Sequence, residues 1–143
     1  MDNNNFAITA LIPQRPPFLF IERIERLAPQ SETAETSAFW PENSLARGAD
    51  GRPKETFIIE ALAQTAALLV GAKNQASGPP PIGYLAAISD FTFTAAIPKN
   101  ERLFFAVKTV RELGPFLVVS ATCKAANTSL ASGELTFYLD KDK

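Results

Sequence analysis

The stretch Thr56–Gly71, TFIIEALAQTAALLVG, constrains the fold most, because it reads as a helix with apolar residues on nearly every face. Such a helix must be surrounded by the rest of the chain rather than laid on it by one stripe. Glu60 and Gln64 stand four residues apart and so share one face, which Leu68 continues a turn later. A carboxylate there is costly to desolvate unless it finds a hydrogen-bond partner, gives up its charge or borders a wet cleft. Glu60 is therefore the first candidate for chemistry, set against the plainer reading of a solvated or backbone-satisfied carboxylate.

Two absences narrow the chemistry further. No histidine occurs in the 143 residues, which excludes a Ser-His-Asp or Cys-His nucleophile, a histidine base and histidine-containing zinc sites. The single cysteine, Cys123, cannot form a disulfide within the chain, and it alternates with Val119 and Ala121 as a core residue would. With 46% apolar and 20% charged residues, the chain reads as one globular domain over 1–143. The net charge of -1 carries no polyanion footprint, and Arg102, Lys108 and Arg111 are spaced as solvated strand charges. The start MDNNNFAITA has no basic, then apolar pattern, and the apolar run broken by Glu60 and Gln64 reads as shorter than a membrane span. A cytoplasmic setting with no membrane, nucleic acid, metal or resident cofactor is the expectation.

In chain order, Leu11–Pro17 is an extended or turning lead-in, since Pro13, Pro16 and Pro17 fix φ and remove donors. A strand pattern follows from Phe18, and a second from Ser31 to Trp40; the two read as an antiparallel pair. Pro41–Pro53 is a loop, with Pro53 suited to the first helical position and Glu55 near the positive end of the helix. The helix is expected to stop near Gly71–Ser77, and Gly78–Pro81 to force a sharp exit. Strands over Ile82–Phe93, Arg102–Leu113, Phe116–Ala126 and Ser129–Leu139 complete the chain, separated by turn residues. The element order predicts an α+β domain in which a curved sheet wraps the helix.

Two segments carry a family resemblance. IPQRPPFLFIERI, Ile12–Ile24, resembles the LPHRYPFLLVDRV segment of the small beta-hydroxyacyl-acyl carrier protein dehydratases, and IIEALAQ, Ile58–Gln64, resembles their (V/I)EALAQ helix. Leu85–Pro98 is similar in spacing to the strand and proline turn that follow. The resemblance implies the hotdog fold, a long central helix wrapped by an antiparallel sheet, paired as a dimer or higher assembly with active sites at the subunit interface. It also implies a ligand carried as a thioester on acyl carrier protein or coenzyme A, in fatty-acid or polyketide-type metabolism.

The resemblance stops where the family keeps its base. Those dehydratases carry a histidine in an HFPG loop, and the matching position here is Ala46 in SLARGAD; their MPG glycine falls on Glu55. In the family one group takes the α proton beside the thioester carbonyl and another protonates the departing β hydroxyl. Three readings follow. The first is a dehydratase with Glu60 as acid and its base supplied by a histidine-bearing homologue in a heterodimer. The second is a thioesterase using Glu60 as nucleophile or water-activating base, with Gln64 orienting water or substrate. The third is a non-catalytic acyl-binding or partner subunit. Gln64 and Ala46 are the expected substrate contacts beside Glu60. Phe39, Trp40, Phe91 and Phe93 are candidates for an acyl tunnel against the alternative of plain core. Arg47 and Arg52 are candidates for a carrier protein or a phosphopantetheine phosphate, against solvated loop charges.

Overall fold

The computed structural model describes residues 5–75 and 81–140. The apolar stretch forms the helix α2, Glu55–Lys73, with Glu55 in its first turn and Lys73 in its last, each sign matching the dipole end it occupies. At 19 residues α2 is long and apolar enough to reach the lower bound for a membrane span, contrary to the expectation of a shorter run. Burial accounts for that composition, since Ile58, Leu62, Leu68 and Leu69 all lie inside the core.

Six antiparallel strands wrap the helix: β1 Arg23–Ala28, β2 Thr33–Ala38, β3 Ile82–Phe93, β4 Leu103–Leu113, β5 Phe116–Ala125 and β6 Thr128–Asp140. Their order in the sheet is β1-β2-β4-β5-β6-β3, so β1 and β3 are its edges. Alternate residues face α2: β4 buries Leu103, Phe105 and Val107, and β6 buries Ala131, Leu135, Phe137 and Leu139. The Thr36 and Thr65 hydroxyls meet at 2.9 Å in this interior, tying β2 to α2. Cys123 faces the core as expected, and burial pushes its thiol up to about 12, so it is uncharged at neutral pH. The result is the α+β hotdog arrangement, a long central helix inside a curved antiparallel sheet.

Two local features depart from the sequence reading. Asn5–Leu11, assigned no element from sequence, is a helix, α1, and Ile8 and Ile12 bury against α2. The contact needs Gly71, where a Cβ would stand 2.5 Å from the carbonyl oxygen of Leu11. The period-two pattern from Phe18 enters the sheet only at Arg23. Before that, side chains take the backbone groups a neighbouring strand would use: the Phe20 amide donates to Gln64 Oε1 at 2.8 Å, and its carbonyl accepts from Trp40 Nε1 at 3.0 Å. Pro53 lies outside the helix, bridged to Arg47, and Lys54 takes the capping position instead. The exit at Gly78–Pro81 falls, but for Pro81, outside the described residues.

The edge strand β3 leaves Tyr84, Leu85 and Ile88 exposed by 53%, 42% and 49%. A long apolar edge with unpaired backbone groups is a template for pairing with another chain.

Candidate active site

The site is built where the lead-in crosses α2. Arg15 donates to the carbonyls of Thr9, Ile12 and Gln14, which gathers the lead-in under one guanidinium. The Phe18 amide then donates to the Arg15 carbonyl at 2.8 Å, turning the chain back toward α2. Gln64 receives it there. With 1% exposure its carboxamide needs partners from the protein, and it has three: Oε1 accepts from the Phe20 amide, and Nε2 donates to the Phe18 carbonyl at 2.9 Å and to Glu60 Oε2 at 3.0 Å.

Gln64 thus fixes one oxygen of a half-buried carboxylate. Among the described residues no donor reaches the other, Glu60 Oε1. Beside Glu60 opens a cavity of about 550 Å³, within the usual range for small-molecule sites. One wall is the lead-in from Thr9 to Arg15; a second is the Glu60, Ala63 and Ala67 stripe of α2; a third is Leu85 of β3 with Phe137 and Leu139 of β6. Spacings of three and four put those α2 residues on one face, and their small side chains leave the groove open. The chemistry on offer is one positioned carboxylate at the side of an apolar channel.

The other candidates lie elsewhere. Ala46 is fully buried, its amide donating to Ser44 Oγ and its carbonyl accepting from the Lys54 amide. Arg47 is committed to the loop: its guanidinium donates to the Trp40 carbonyl, the Gly51 carbonyl and Asn100 Oδ1. Arg52 donates to the Ile97 carbonyl. These bonds tie both arginines to the loop, Arg47 through all three guanidinium nitrogens and Arg52 through one. Phe39 is 40% exposed and outside the cavity wall. Phe91 packs on Phe93 at a ring distance of 5.5 Å, away from the cavity, and Trp40 stacks on Phe105 in the core. Gln14 was not singled out from sequence, yet it lines the cavity with a buried carbonyl oxygen. Its signal was the IPQR tetrapeptide, where the resembling segment reads LPHR.

Ala46 is therefore no open socket for a base. Ala46→His is expected to destabilise the protein by about 1–3 kcal/mol through overpacking, without conferring dehydration on the isolated chain. Urea melts and a 3-hydroxyacyl thioester assay check both halves, and a gain of turnover would show that the loop does admit a base.

A long helix wrapped by an antiparallel sheet, with a carboxylate beside a cavity on its open face, defines a hotdog-fold protein. The chain belongs to the ApeP-like family, described as ApeP dehydratase, which matches residues 6–143. It is 30% identical over 135 residues to the 3-hydroxyacyl-[acyl-carrier-protein] dehydratase FabZ of Lactiplantibacillus plantarum, covering 92% of this chain and 90% of that protein. It is 28% identical over 143 residues to an uncharacterized thioester dehydrase of Halalkalibacterium halodurans, covering 92% and 86%. Among solved structures, the dehydratase heterocomplex ApeI:P from Xenorhabdus doucetiae superposes with a TM-score of 0.82 at 16% identity, covering 92% of this chain and 90% of that one. A hypothetical thioesterase with coenzyme A from Streptococcus pneumoniae gives 0.65 at 13% identity, covering 81% and 83%. At such identities the structural likenesses establish the shared fold.

Proposed function

We propose that this chain is the histidine-free subunit of a heteromeric dehydratase acting on 3-hydroxyacyl thioesters, carried on the phosphopantetheine of acyl carrier protein or on coenzyme A. The observation that carries the reading is Glu60, held by Gln64 at the wall of a 550 Å³ cavity in a chain without histidine. Among the described residues Glu60 is the one carboxyl group that lines the cavity, and dehydration requires two proton transfers.

A base from a partner subunit takes a proton from C2, the C3–O bond breaks as the C2–C3 double bond forms, and Glu60 delivers a proton to the departing oxygen. Water and a 2,3-enoyl thioester leave, and the proton on the base returns to Glu60 to close the cycle. The chain itself orients the acid through Gln64 and excludes water from the acyl group with Ala63, Ala67 and Phe137. The exposed β3 edge, with Leu85 and Ile88 beside it, is the surface on which we place the partner. The ApeI:P neighbour, a dehydratase heterocomplex by name, supports a pairing of this kind.

The test is turnover of a 3-hydroxyacyl pantetheine thioester followed by mass spectrometry, with the chain alone and mixed with a histidine-bearing homologue. Water loss that exceeds the homologue's own rate only in the mixture is the expected result. Release of free acid by the chain alone would instead make it a thioesterase, and absence of any effect in the mixture would leave it without a catalytic role.

A further inference from the structure

The cavity contains a second polar group that the reaction above does not use. Gln14 Oε1 is buried, and no hydrogen-bond donor among the described residues reaches it. Such an acceptor is costly, because it has lost water and gained nothing in exchange. Its position is specific. The turn closed by the Phe18 amide on the Arg15 carbonyl brings Phe18 and Phe20 to Gln64, and Gln14, just before that turn, stands in the cavity wall. Gln14 and Glu60 line the same cavity, with Gln14 Oε1 turned away from water.

We propose that Gln14 is a substrate-positioning residue whose carboxamide oxygen accepts the hydrogen of the substrate's 3-hydroxyl while Glu60 faces the oxygen of that same group. The proposal rests on the dehydratase reading, and it adds a determinant that selects hydroxylated over saturated acyl thioesters. Carbonyl oxygens take donors only, and the 3-hydroxyl is the donor on the acyl group where the acid must act. The terminal torsion of a glutamine is soft, so the carboxamide turns toward a bound hydroxyl without leaving its rotamer well. The ligand's hydroxyl supplies the hydrogen bond that no described residue gives to this oxygen. Holding the hydroxyl from its hydrogen side leaves a lone pair for the proton that Glu60 delivers.

The experiment compares wild type with Gln14→Met, which keeps length and removes the orphan acceptor. Binding of 3-hydroxyoctanoyl pantetheine and octanoyl pantetheine is measured by calorimetry, and melting is followed without ligand. The variant is expected to bind the hydroxylated thioester about tenfold more weakly and the saturated one unchanged, the loss of one hydrogen bond. Its ligand-free melting temperature is expected to rise by about 2–6 °C, since an unsatisfied group has been removed. A purely structural glutamine would instead lower the melting temperature, and that result overturns the proposal. Equal losses for both thioesters, or none, overturn it too while leaving the dehydratase reading intact. Wild type binding neither thioester removes both readings, and is told apart because it appears before any variant is made.

Discussion

In the proposed reaction, Glu60→Gln is expected to lower dehydration by the chain paired with a histidine-bearing homologue by about 10²–10⁴-fold, the usual worth of one positioned proton donor. Glutamine preserves the shape of the side chain and an oxygen that accepts from Gln64 Nε2, so the lead-in stays docked and stability moves by less than about 1 kcal/mol. The loss therefore falls on kcat rather than on KM, because the carboxyl acts on the departing oxygen and the cavity walls hold the acyl chain. The readout is the initial rate of enoyl thioester formation at saturating substrate, with the homologue alone as baseline. A rate unchanged by the substitution would mean that the proton comes from the partner, and that Glu60 only completes the hydrogen bonding of Gln64. A rise in KM with kcat preserved would make Glu60 a binding group, and the cavity a docking site without its own chemistry.

The helix, the strand succession and the core position of Cys123 were legible because each rests on local periodicity. Apolar residues on every face demanded an enclosing layer, and three separate turn signals cut the second half of the chain into four strands. Glu60 and Gln64 were legible as a pair for the same reason, since a spacing of four puts them on one face. What escaped was set by contacts between distant segments. The helix α1 is seven residues long and gains its stability from packing Ile8 and Ile12 on α2, which no local propensity reports. The segment from Phe18 carries a strand-like alternation, but the side chains of Gln64 and Trp40 satisfy Phe20 and hold it off the ladder. Arg47 looked like an anion contact by charge alone. Its four hydrogen bonds to Trp40, Gly51 and Asn100 occupy four of the five N–H groups of the guanidinium, and none of those partners is its sequence neighbour. The aromatics Phe39 and Phe91 are candidates for tunnel lining or plain core by size and spacing, whereas the channel is cut by small residues on the helix.

Gln64→Leu is expected to be the most destabilising single change at this site. Leucine matches the buried volume approximately, but it leaves the Phe20 amide and the Phe18 carbonyl without the partners that dock the lead-in. The orphaned buried Phe20 amide costs about 1–3 kcal/mol and the part-buried Phe18 carbonyl less, so a total of about 2–4 kcal/mol follows. The damage is local in a recognisable way: hydrogen exchange at the Phe20 amide speeds up, while amides in the middle of α2 and β5 keep the protection set by global stability. Gln64→Glu separates the two duties of this side chain. A carboxylate still accepts from Phe20, but its oxygens cannot donate to the Phe18 carbonyl, and they face Glu60 across the 3.0 Å contact that Nε2 now makes. Two carboxylates so close resist sharing full charge, and a proton held between them relieves the repulsion. Protonation in the folded state is thereby favoured over the unfolded chain, so this variant gains stability as the pH falls from 8 toward 5 and loses it on the way back. Gln64→Leu has no such added carboxylate and loses its stability at every pH in that window. Urea melts of the two variants at pH 5 and pH 8, each referred to wild type at the same pH, read the difference. If Gln64→Glu instead tracked wild type at both values, the glutamine's donor would be dispensable, and the orientation of Glu60 would have to come from the helix alone.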